Sequence, residues 1–301
     1  MGLFWLWLLG LAMAAGPAPA WERLGMARLH TNGAFTNDVF GDRHDRWHGS
    51  SYRAGLLPSP GQGGPDMVEL RFFTGALTPA SLAGPDPSGR PLAGDAGPGM
   101  RGYLLGPKGS LEAGLDLAAA GPQTRYPEIP PRLRSPGEDP GPALEDGQIG
   151  DALNPTLVLA ATRRLPAAER APYRALASLQ LQAGSQTQFR LGGDLVLGSA
   201  GGGALPLRAA AAGDLIPVSR QQAEGGGPVP GADASHVLRS ARPPQDRGYR
   251  PADLRHRARI GGLWRWGQGR QVFYGVVFLD EEFGEQPEAQ MVGTVHVNWR
   301  F

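Results

Sequence analysis

The last strand-length run of the chain, AQMVGTVHVNWRF, places Met291, Val295, Val297, Trp299 and Phe301 on one parity and Gln290, Thr294, His296, Asn298 and Arg300 on the other. Side chains of a β-strand point alternately to opposite faces, so the run has one apolar and one polar face. The same rhythm recurs upstream. In LRHRARIGGLWRW, Leu254, Ala258, Ile260, Trp264 and Trp266 oppose Arg255, Arg257, Arg259 and Arg265. YRALASLQLQAG and TQFRLGGDLVLG alternate likewise on either side of a short AGSQ turn, which reads as a hairpin. MVELRFF and SLEAGLDLA follow suit.

Alternation alone fits a secreted β-sandwich as well as a membrane barrel. Three features favour the barrel. The runs approach the 9–11 residues with which a tilted strand crosses a bilayer. Charge recurs along a single face of one strand, as a hydrophilic lumen permits. The chain also ends on an aromatic residue closing an amphipathic strand. The fold expected is therefore all-β: a transmembrane antiparallel up-and-down β-barrel of about 12 strands. Candidate strands run over 23–36, 50–58, 67–77, 97–106, 109–120, 153–165, 173–184, 187–198, 205–217, 232–242, 253–266, 270–283 and 289–301. Single-chain bacterial barrels carry an even number. The run around 205–217 is the weakest, and counting it as loop leaves twelve. The Pro-rich, charged stretch 122–150 and the Gly-rich stretch 218–231 are read as loops, the latter exposed and mobile.

The opening MGLFWLWLLGLAMAAGPAPA reads as a signal peptide over 1–20, with Ala18-Pro19-Ala20 as the cleavage motif, ahead of a barrel domain over 21–301. Its apolar run is shorter than the ~20 residues of a spanning helix. The chain has no cysteine, which removes disulfides and thiolate metal sites. A net charge of +1 argues against a nucleic-acid partner.

The densest polar segment is TNDVFGDRHDRWHGSS, at 36–51. Asn37 and Asp38 offer hard oxygen donors of the kind calcium takes. His48 could accept a proton from water and immediately precedes a run with hydroxyls. The plainer alternative is a hydrated turn, with Arg43 and Arg46 pairing Asp42 and Asp45, and that reading is preferred for Asp42 and His44. His236 and His296 are expected to face the lumen as structural groups. The arginine row is expected to line the interior and pair with carboxylates such as Asp194 and Asp116. Trp264, Trp266, Trp299, Phe301 and Tyr274 are read as interfacial girdle or lipid-facing wall.

Several segments together resemble the lipid A 3-O-deacylase family of outer-membrane barrels. They are TNDVFGDRHDRWHGSSY, GRPLAG at 89–94, AGLDLAAAGPQT at 113–124, GQIGDALNPT at 147–156, GADASHVLRSARPP at 231–244 and FYGVVFLDEEFGEQPEAQMVGTVHVNWRF at the end. They keep the family's order across nearly the whole chain. The resemblance implies a twelve-stranded barrel in the bacterial outer membrane. It implies hydrolysis of the ester-linked acyl chain at the 3-position of lipid A, near the outer leaflet and with a calcium ion.

Carried over by residue, Asn37 and Asp38 match the family's Asn-Asp pair and its metal site. Ser50 is the usable hydroxyl and Glu138 the nearest acidic residue. The family's His falls near Arg134, and 122–150 holds no His, so His48 is the candidate replacement base. The partners implied are lipopolysaccharide, outer-membrane lipids and the barrel assembly machinery, with the protein a monomer. The alternative is a catalytically silent barrel of the same family with a structural or lipopolysaccharide-binding role. A porin-like channel ranks third, because the polar faces carry side chains large enough to fill a small lumen.

Overall fold

The structure is a computed structural model, and it describes residues 29–37, 41, 47–58, 66–79, 91–125, 148–166, 173–198, 205–208, 215–218, 224–241, 250–267, 270–284 and 286–300. Strands β1 (Leu29–Asn37), β2 (Trp47–Pro58), β3 (Met67–Thr78), β4 (Ala93–Leu105) and β5 (Gly109–Ala120) pair in succession. The ladder continues through β6 (Ala152–Arg164), β7 (Tyr173–Ala183) and β8 (Gln186–Leu197). β9 (Leu205–Arg208) and β10 (Leu215–Val218) form a separate hairpin, and β9 comes against β5. β11 (Gly225–Pro228) and β12 (Gly231–Ser240) both pair with β13 (Leu254–Trp266), and β14 (Arg270–Leu279) and β15 (Gln290–Arg300) complete the wall.

β15 pairs antiparallel with β1, His30 opposite Arg300 through Asn37 opposite Gly293, so the sheet closes on itself. β11 and β12 are one stave: the Val229 amide donates to Gly261 and the Leu195 amide to Pro230 across the junction. The result is a closed barrel of twelve antiparallel staves. The weak 205–217 candidate stays out of the wall, as expected. The Gly-rich stretch does not: Gly225–Pro228 belongs to the ladder, opposite Arg265 to Gly262. Three glycines and a proline carry no apolar–polar alternation, so nothing in the sequence marked them as strand.

The apolar parity faces outward. Leu115, Leu191, Ile260 and Phe72 are each more than half exposed, on four different staves. The other parity buries Glu69, Arg101, Asp194, Arg257, Arg259 and Gln271. This is the reverse of a water-soluble protein, and it is stable only with hydrocarbon around the wall. The end that carries the start of β1 and the end of β15 is taken as the inner end. The connections 38–46, 79–92, 121–151, 241–253 and 280–289 leave the opposite, outer end, while the inner end carries short connections and the long 198–224 with its β9–β10 hairpin.

The lumen is filled in layers. Near the inner end Leu176, Val196, Val229, Leu263 and Phe273 form an apolar plug. Above it lie two ion-pair networks on facing walls. On one, Asp116 accepts from Arg71 (2.5 Å) and Arg101 (2.7 Å), while Glu112 accepts from Arg101 (2.5 Å) and Glu69 from Tyr103 (2.7 Å). On the other, Asp233 accepts from Arg257 (2.9 Å) and Arg259 (2.5 Å), and Arg259 also bonds Asp194. The arginine row is interior as expected, but Asp116 pairs with Arg71 and Arg101, not with the row on β13.

Candidate functional site

Over these networks lies a vestibule of about 220 Å³, bordered by Arg71, Arg101 and Asp116 on one side, Arg190, Asp233 and Arg257 on the other. The candidate hydrolytic residues lie beside it at the outer end of β1 and β2. Asn37 is the last residue of β1 and stands directly opposite Ser50 on β2 and Gly293 on β15. Its neighbour Thr36 is almost fully buried on the lumen side, where its hydroxyl donates to Thr294 Oγ1 at 3.3 Å. Asn37 and Ser50 are register partners one pair beyond Thr36 and Ser51, both of which border the vestibule. Phe35 and Tyr52, one pair further in, stack with ring centroids 4.7 Å apart.

Two backbone features shape this corner. The β2–β3 register shifts between Trp47 and Ser50, which puts His48 in a bulge immediately before the candidate hydroxyl. Gly41 is pressed on the outer end of β15: a Cβ there would lie 2.0 Å from the Met291 carbonyl oxygen and 2.7 Å from Val292 Cα. Only glycine permits that approach, so the connection after Asn37 is tied to β15 as well as to β2. Sequence reasoning passed over Gly41, although a lone glycine inside a polar connection is the usual mark of close backbone contact.

The structure thus brings Asn37, Ser50 and the His48 backbone together. Asp38, Asp42, His44, Asp45 and Glu138 lie outside the described residues. His296 is on β15, the strand adjacent to β1, and faces the lumen, buried and edge-on to Phe273 at 5.8 Å. His236 does not face the lumen as expected. Asp233, Ser235 and Val237 take the interior positions of β12, and His236 packs outside against Phe189 at 5.6 Å.

His256, at the outer end of β13 and four staves from β2, is exposed and pairs through Nδ1 with Asp280 at 2.8 Å. Burial alone would raise the Asp280 carboxyl; hydrogen bonds around Glu281 and from His256 outweigh it and hold it below its ordinary value. Among the described residues no group of three His, Cys, Asp or Glu could hold a metal ion. Asn37 and Asp38 have the right donor chemistry for calcium but account for two of its six to eight oxygens.

A closed twelve-stave barrel with an apolar exterior and a polar interior is the architecture of outer-membrane β-barrels. No protein-family model matches the chain, and no curated protein matches it. Among solved structures, LpxR from Salmonella typhimurium is similar over 90% of this chain and 100% of its own, with a TM-score of 0.70 at 12% identity. An outer membrane channel from Pseudomonas putida F1 covers 95% of this chain and 100% of its own, with a TM-score of 0.47 at 11% identity. The KdgM porin covers 90% and 99%, with a TM-score of 0.42 at 7% identity. At 12% identity the likeness to LpxR establishes the fold alone, that of an outer-membrane β-barrel.

Proposed function

We propose that this barrel is an outer-membrane ester hydrolase that removes the 3-linked acyl chain from lipid A of lipopolysaccharide. One observation supports the reading: Asn37 pairs with Ser50 in the β1–β2 register at the outer end of a barrel that shares its fold with LpxR, a lipid A 3-O-deacylase. The outer end of the barrel is where a lipid A headgroup would be met, with the apolar cluster around Leu263 and Phe273 toward the inner end.

In this proposal Asn37 and Asp38 would hold a calcium ion, which when bound supplies positive charge beside the scissile carbonyl. Ser50 donates a hydrogen bond to the substrate, and His48 accepts the proton of the attacking water and returns it to the departing 3-hydroxyl oxygen as the acyl–oxygen bond breaks. Glu138 orients that imidazole. The second reading, the same barrel without turnover, is favoured by the lack of any His in 122–150.

Mass spectrometry of lipid A from cells with and without the protein, with calcium supplied, separates the two. The hydrolase yields lipid A lighter by one 3-linked acyl chain, and Asn37→Ala abolishes that product. An unchanged acylation pattern with the barrel folded in the membrane rejects the enzyme.

A further inference from the structure

Beneath the apolar plug, at the inner mouth, lies a second polar layer with a different balance of charge. Arg164 is the last residue of β6, Arg174 the second of β7, Arg265 the penultimate of β13 and Gln271 the second of β14. Each continues the lumen-facing parity of its strand, below Thr162, Leu176, Leu263 and Phe273. Arg265 and Gln271 are register partners.

Unlike the arginines of the middle layer, Arg164 and Arg174 form no ion pair with a described carboxylate. Arg174 instead feels the like charges of Arg164 and Arg265. Gln271 is 1% exposed, and neither its amide oxygen nor its amide nitrogen has a hydrogen-bond partner. Arg164 Nε and Arg174 Nη1 are likewise buried without partners. A buried amide with both ends unsatisfied, beside uncompensated guanidinium groups, is costly unless something supplies acceptors and negative charge.

We infer that the inner mouth of the barrel is a binding site for a phosphate-class oxyanion, held by Arg164, Arg174 and Arg265 with the Gln271 amide as a further donor. Arg164 and Arg174 without an ion pair to a described carboxylate, and Gln271 with both amide atoms unsatisfied, call for an anion with several acceptor oxygens, which phosphate offers and chloride does not. The site lies at the end of the barrel opposite the candidate hydrolytic residues, below the apolar cluster. It is therefore independent of the proposed hydrolysis. The phosphoryl group could be free phosphate or the headgroup of an anionic phospholipid.

The test is isothermal titration of the folded protein with inorganic phosphate in a non-ionic detergent, matched in ionic strength with chloride. A parallel measurement uses nanodiscs containing phosphatidylglycerol. Saturable phosphate binding in detergent identifies the free ion. A thermal shift confined to phosphatidylglycerol nanodiscs, lost in Arg174→Gln, identifies the headgroup.

Arg174→Gln should weaken either response at least tenfold. It should leave the unliganded barrel as stable as the parent or more so, because it relieves repulsion between like charges. Gln271→Leu, which keeps the burial, should weaken binding severalfold. A response equal to that of chloride, or unchanged by Arg174→Gln and Gln271→Leu alike, overturns the inference. So does a loss of stability in unliganded Arg174→Gln, since that would reveal a structural ion pair.

Discussion

Replacing Arg259 by Met tests whether the middle of the lumen is a dry, interlocked charge network or a solvated channel lining. Arg259 donates from Nε to Asp194 at 3.0 Å and from Nη1 to Asp233 at 2.5 Å, and its Nη2 also bonds Asp194. All three residues are less than a tenth exposed. Asp233 keeps the bidentate Arg257, with Arg190 at 3.3 Å, so the loss falls mainly on Asp194. Methionine nearly matches the buried stem, which isolates the charge.

Removing one partner of a buried pair costs about 3–5 kcal/mol, because the carboxylate stays buried without its neutralising group. With a urea dependence of about 2 kcal/mol per molar, the unfolding midpoint should fall by roughly 2 M. Asp194→Asn in the Arg259→Met background removes the stranded charge and should restore at least half of the loss. Urea titrations in lipid vesicles, read by tryptophan fluorescence and by heat-modifiable gel mobility, measure both quantities. A cost below about 1 kcal/mol for Arg259→Met, the range of solvent-exposed pairs, would refute the dry network. So would a double variant no more stable than the single one.

Leu115→Arg places a charge outward at mid-β5, where the parent leucine is 53% exposed, and should cost about 2–4 kcal/mol in bilayers. A neutral effect in the same vesicle assay would mean that this height of the wall is not in hydrocarbon. Gly41→Ala should leave barrel stability nearly unchanged but lower the proposed lipid A deacylation by about 100-fold, because a Cβ 2.0 Å from the Met291 carbonyl oxygen must push the connection at Gly41 off β15 by more than an ångström. Undiminished deacylation by a folded Gly41→Ala protein would remove that connection from the site.

The wall was legible where side chains carry the period of two. β13 alternates cleanly, with Arg257, Arg259 and Arg265 inside and Trp264 and Trp266 outside, and β15 keeps Thr294 and His296 inside with Met291 and Val297 outside. It was illegible where the period is silent or broken. Gly225–Pro228 offers no contrast between faces. In β12, polar groups occupy both parities, with Asp233 and Ser235 inside and His236 outside, and the register to β8 shifts between Val237 and Arg239. Pairing partners inside the lumen were also hidden, because Arg71, Arg101 and Asp116 meet across β3, β4 and β5, a proximity fixed by stagger and not by spacing along the chain. At the candidate site the residue types were readable, but the opposition of Asn37 to Ser50 follows from hairpin register and the closeness of Gly41 to β15 from closure.

That closure has a consequence for when the corner around Asn37 can exist. Its third side is Gly293 and the backbone of Met291 and Val292, which belong to β15 and are synthesised after β1 and β2. A chain in transit has β1 and β2 but lacks this flank until its two ends zip together. Any chemistry residing there is thereby withheld from precursors and switched on by completion of the cylinder itself.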